Sequence, residues 1–156
     1  MRLFHASWLA AILLACALQA AGRDVALIAN KDVDVKNLGV ADLLKLCKGQ
    51  TSKWPNGRLV TFMVRETNVP DMKVALQKLY SMTPEDFDVM VAGANHGRTD
   101  RPAIVVIDSD EALVKKVAST PGAMGLVDVY SITGAINVVK VGGKLPLEPG
   151  YLLHGN

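Results

Sequence analysis

The residues best suited to chemistry lie in "VRETNVPDM", positions 64–72, where an arginine, a threonine and an asparagine separate an apolar run from a helical pattern. Pro70 fits a first helical position, because its missing amide hydrogen costs nothing there. A helix start at that point leaves backbone amides unpaired and presents the positive end of its dipole, which suits a tetrahedral anion. Thr67 and Asn68 would donate to such a ligand, and Arg65 would offer a planar fork of donors. The same residues have a plainer use, with Thr67 or Asn68 capping the helix, a common role for these types. Glu66 and Asp71 favour the plainer use, since a carboxylate in the cradle repels an anion and takes the amides itself. The ligand-binding set under the first reading is Arg65, Thr67 and Asn68, with Arg98 in a glycine-flanked loop as a weaker addition.

Other chemistry is thinly represented. His96 and His154 have no second histidine, cysteine or carboxylate at metal-ligand spacing, and both read as solvated loop residues. The chain has no G-x-S-x-G, no phosphate loop with a following lysine and no dinucleotide fingerprint. Neither an enzyme nor a bound cofactor or metal is expected. Cys47 sits at helical spacing from Leu43 and Leu44 and reads as a buried apolar residue.

The elements that must position Arg65 follow from periodicity. "DVALIAN" (24–30), "LVTFMV" (59–64), "AIVVI" (103–107), "AMGLVDV" (123–129) and "AINVVKV" (135–141) read as strands, with 103–107 a central candidate because it is apolar throughout. Helices are expected over "LGVADLLKLCKG" (38–49), from Pro70 with Met72, Ala75, Leu76 and Leu79 inward, and from an N-cap at Thr83. A further helix is expected after an Asp108–Glu111 capping box. Pro55-Asn56-Gly57 marks a reversal, and Pro121-Gly122 and Gly142-Gly143 mark further turns. Strands alternating with helices imply a mixed, mostly parallel sheet covered on both faces.

The first 21 residues read as an export signal: Arg2, then an apolar run over 8–18, then small residues. Leu13-Leu14-Ala15-Cys16 also resembles a lipobox, which would make Cys16 an acylated, membrane-anchoring residue. Removing the signal leaves sixteen basic residues against fifteen acidic ones, and no basic cluster marks a nucleic-acid footprint. Residues 22–156 read as one domain in the periplasm or outside the cell.

The order of motifs resembles the second lobe of the phosphate-binding protein of ABC transporters, a type 2 periplasmic-binding-protein-like domain. "DVALIANKDVDVKNLGVADLLKLCKGQTSKWPNGR" is similar to the family's strand, helix and "W-x-(D/N)-G" run. "VRETNVPDMKVAL" sits where the family has an arginine followed by Ser-Gly-Thr. "SDEALVKKVASTPGAMGLVD" is similar to its "P-G-A-I-G-Y" segment, and "GKLPLEPGYLLHG" to its closing motif. The resemblance implies that Trp54 and Gly57 shape a turn and that Gly122, Ala123 and Gly125 pack a close corner. Arg65, Thr67 and Asn68 fall on the anion-contacting positions, with Glu66-Thr67-Asn68 standing where the family has Ser-Gly-Thr. The expected fold is a single three-layer α/β lobe. The expected function is an exported, phosphate- or oxyanion-binding-like protein with a weak or degenerate site, its partner a membrane transporter. The alternative is an envelope interaction module that has lost ligand binding.

Overall fold

The computed structural model describes residues 23–155, so the signal and lipobox readings of the first residues lie outside the described region. Along the chain run β1 (Val25–Ala29), β2 (Asn37–Leu38), α1 (Val40–Cys47), β3 (Thr61–Arg65), α2 (Pro70–Ala75) and α3 (Pro84–Asn95). They are followed by β4 (Ile104–Ile107), α4 (Asp110–Ser119), β5 (Ala123–Asp128) and β6 (Asn137–Val141). The strands form one sheet in the order β2-β6-β1-β5-β3-β4. β3 pairs parallel with both β4 and β5, and β2 pairs parallel with β6, while β1 runs antiparallel to β5 and β6. β1 alone therefore opposes the common direction, and the mixed, mostly parallel sheet is as expected.

Parallel neighbours need long crossovers, and the helices supply them. One face of the sheet presents Leu27, Phe62, Val64 and Leu126 to a core shared with Leu43, Leu46, Met72, Leu79 and Phe87 from α1, α2, the turn after α2, and α3. The other face presents Ala26, Ile28, Met63 and Val127 to Leu113, Val114 and Val117 of α4. β1 and β5 are buried along their whole length, which explains why they read as unbroken apolar runs.

The structure corrects two local expectations. The strand within 103–107 is not central: β4 is an edge strand, buried at Ile104 and 45% exposed at Val106. Its outer side is partly closed by Asn95, whose side chain donates to the Ile104 carbonyl (2.8 Å) and accepts from the Ile104 amide (3.0 Å). α4 is capped by Ser109, not Asp108: its hydroxyl accepts from the Ala112 amide at 3.1 Å. Ser109→Ala should cost about 1 kcal/mol in a urea melt. The helix expected from Pro70 with Leu76 and Leu79 inward is present, its last part a π-type turn over Leu76–Tyr80 that stops at Ser81 with φ 51°.

The reversal at Pro55-Asn56-Gly57 is tied to the distant Pro121-Gly122 corner. Trp54 Nε1 donates to the Gly122 carbonyl at 2.8 Å, and the Gly122 amide donates to Asp32 at 3.0 Å. A Cβ on Gly122 would lie 2.3 Å from the Leu59 carbonyl oxygen, and one on Gly125 would lie 2.9 Å from that of Met63. The glycines are required by close backbone approach.

Candidate functional site

Because β3, β4 and β5 run in one direction, their carboxyl ends share one edge of the sheet: Arg65, Ile107 and Asp128. Reversed β1 brings Arg23 and Asp24 to the same edge. Open α/β sheets take ligands outside the carboxyl ends of their strands, so this is where a site belongs.

Arg65, its side chain 13% exposed, uses all three guanidinium nitrogens as donors. Nε donates to the Ile107 carbonyl (3.1 Å), Nη2 to the Asp108 carbonyl (3.0 Å) and Nη1 to an oxygen of the Asp110 carboxylate. The second Asp110 oxygen accepts from the Ser131 hydroxyl at 3.1 Å. A carboxylate from the first position of α4 thus sits on the arginine, held on both oxygens.

Two further acids border this pair. Asp71, buried in the first turn of α2, has its carboxyl pushed up to about 6. Burial is the largest cause, and the charges of Asp110 and Asp128 add to it. Arg65 and the Asp128 backbone amide act in the opposite sense. Asp128 is itself compensated, accepting from Arg23 Nη1 (3.3 Å) and from the Tyr130 amide (2.8 Å). The Arg23 guanidinium lies 5.3 Å from the centre of the Tyr130 ring. Three carboxylates thus share the corner with two guanidinium groups.

The structure separates the residues singled out in the sequence. Thr67 and Asn68 line a shallow depression of about 600 Å³ with Lys73, Leu76, Gln77 and Met82, and Arg65 is not among its lining residues. Nor does either cap α2, whose N-cap is Val69 in an extended conformation with no side-chain cap bond. Arg98 precedes β4 and so lies at the opposite sheet edge, where it donates to the Gly49 carbonyl at 3.2 Å. His154 is an exposed loop residue, as expected, and places Nδ1 2.6 Å from the buried Asp24 carboxylate, whose other oxygen accepts from the Leu147 amide. Cys47 is buried as expected, and burial pushes its thiol far above the ordinary range.

Asp110, Asp128 and Ser131 were not apparent as site residues. The stretch "SDE" at 109–111 reads as capping chemistry alone, and only the folded sheet brings it to Arg65, 45 positions away. Among the described residues no group of three or more His, Cys, Asp or Glu side chains is placed to hold a metal. No described helix is long and apolar enough to cross a membrane.

No protein-family model matches the chain, and no curated protein matches it. Solved structures do. A phosphate transport receptor of the ABC type from Vibrio cholerae superposes with a TM-score of 0.64 at 17% identity, over 81% of this chain and 49% of that one. A substrate-binding protein of a phosphate ABC transporter from Clostridium perfringens, described with bound phosphate, gives 0.63 at 16%, over 79% and 46%. PstS from Borrelia burgdorferi gives 0.64 at 16%, over 87% and 56%. The chain spans about half the length of these proteins. It has the fold of a type 2 periplasmic-binding-protein-like domain and resembles one lobe of the phosphate-binding proteins of ABC transporters.

Proposed function

We propose that the chain is an exported, non-enzymatic solute-binding-type domain, akin to the substrate-binding proteins of phosphate ABC transporters, with a weak or degenerate oxyanion site anchored on Arg65. The observation that carries this reading is the state of that arginine. Two backbone carbonyls fix its plane at the ligand-bearing edge, and its remaining nitrogen already holds an oxyanion, the Asp110 carboxylate. A solute reaching Arg65 must displace Asp110 and settle beside Asp71 and Asp128, so its affinity is low. Thr67, Asn68 and Lys73 border a separate depression and stand outside the Arg65 seat in this reading. The partner in this reading is a membrane transporter, and the compartment is the periplasm, reached through the signal at 1–21. Intact mass of protein made in a bacterial envelope reports whether Cys16 is acylated.

Calorimetry with phosphate and sulfate tests the proposal on the wild type and on Arg65→Ala. A saturable, weak heat that disappears in the variant is the expected result. If neither form gives heat, the solute-binding reading falls.

A second reading, an envelope interaction module that has lost ligand binding, is favoured by one specific observation. The only formal positive charge of Arg65 is already matched inside the fold by Asp110. In that reading the same edge is a docking surface, and neither anion gives heat with any form.

A further inference from the structure

We infer that the seat at Arg65 is shaped for a carboxylate, that Asp110 fills it from within the chain, and that a vacated seat takes a small monocarboxylate in preference to a doubly charged tetrahedral oxyanion. The inference rests on the reading of Arg65 as the anion anchor and adds what that anchor selects.

The donors set the geometry. Arg65 turns Nη1 to the seat, while Nε and one hydrogen of Nη2 are committed to the Ile107 and Asp108 carbonyls at 3.1 and 3.0 Å. The other donor to the seated carboxylate is the Ser131 hydroxyl, 3.1 Å from the second Asp110 oxygen. Two donors, one for each oxygen, match a planar carboxylate. A tetrahedral dianion would bring two more oxygens into a corner that already holds the Asp71 and Asp128 carboxyls. Burial and its acidic neighbours already push the Asp71 carboxyl up, so an added negative charge beside it is opposed. Asp128 is engaged with Arg23 and the Tyr130 amide and offers no donor.

Charge leads to the same choice. One guanidinium balanced by one carboxylate leaves the corner no more acidic than it is now. Replacing that carboxylate with a dianion adds a full negative charge in a half-buried setting, where screening by water is incomplete. Asp110 lies at the first position of α4, a ten-residue helix whose dipole favours a single negative charge there.

Formate rescue of Asp110→Ala tests this. Thermal melts of the purified domain would be followed while formate replaces chloride at constant ionic strength, with sulfate and phosphate as parallel series. The variant should show a saturable rise of about 3 °C in formate, a smaller rise in sulfate and phosphate, and the wild type almost none. Asp110→Asn, whose amide still fills the seat, should not respond. If Asp110→Ala folds poorly, Asp110→Ser vacates the seat while keeping a side chain suited to a helix start. Equal responses of the wild type and the vacated variant would overturn the proposal, and so would a larger response to phosphate or sulfate than to formate. In the second case the anchor reading survives and only its selectivity is lost. If formate still stabilises the double variant Arg65→Ala/Asp110→Ala, Arg65 is not the anchor and both readings fall together.

Discussion

Asp71→Asn should raise the melting temperature by several degrees at pH 7.5 and leave it almost unchanged at pH 4. The residue is 8% exposed and its carboxyl is pushed from 3.8 to about 6, first by burial and then by Asp110 and Asp128. Between those two pH values the folded chain keeps a proton that the unfolded chain has released. Stability therefore falls as pH rises through that window, and above it the ionised carboxylate costs a constant amount. The full shift corresponds to about 3 kcal/mol. Relaxation and partial solvent access reduce the expected gain to about 2 kcal/mol. Asparagine keeps an acceptor for the Asp128 amide and removes the charge. Melts of both proteins from pH 4 to 8 should converge at the acid end. A parallel offset at every pH would show that the gain has another source.

The second large effect is a loss, expected at Gly122→Ala. This residue has φ +76°, a region that costs an alanine about 1 kcal/mol or more. The new Cβ would also stand 2.3 Å from the Leu59 carbonyl oxygen and 3.4 Å from the Trp54 ring. The oxygen belongs to the backbone, so no rotamer change relieves the overlap and the corner itself must move. Moving it strains two long-range hydrogen bonds, Trp54 Nε1 to the Gly122 carbonyl and the Gly122 amide to Asp32. The combined cost is about 3–4 kcal/mol. It should appear as a lower urea midpoint with an unchanged slope. Gly134→Ala, where no atom lies within 4 Å of the new Cβ, is the control and should be close to neutral. A loss under about 1 kcal/mol at Gly122 would mean that the corner yields more easily than its contacts imply.

Periodicity made the elements legible because the period of burial is a local property. β1, α1, β3 and the Thr83 cap could be read directly from their own residues. What could not be read is what each element lies beside. The apolar stretch at 103–107 has no mark that distinguishes two strand neighbours from one, and β4 has one. Ser109 and Asp108 are adjacent and both suit a cap, so one residue of phase decided between them. The site was half legible for the same reason. Arg65 was identifiable because it ends a strand before a proline-started helix. Its partner Asp110 is separated from it by two helices and a strand, and Ser131 lies 21 positions further on. Thr67 and Asn68 face another depression because the loop turns after Glu66, whose carbonyl accepts from the Val69 amide at 3.3 Å. Residue types alone do not encode that turn.

The amide group of Asn95 bears on the open edge of the sheet. The inner carbonyl of Ala103 bonds to Phe62, so by alternation Ile104 and Val106 turn their peptide groups outward. A bare row of such groups is a template on which a strand from another molecule can grow. Asn95 imitates one peptide unit of that incoming strand and satisfies Ile104 on both sides, which leaves Val106 as the remaining outward residue of β4. A single rung is too short to seed a cross-chain ladder. One side-chain amide thus takes up, at Ile104, the backbone groups that an added strand would need.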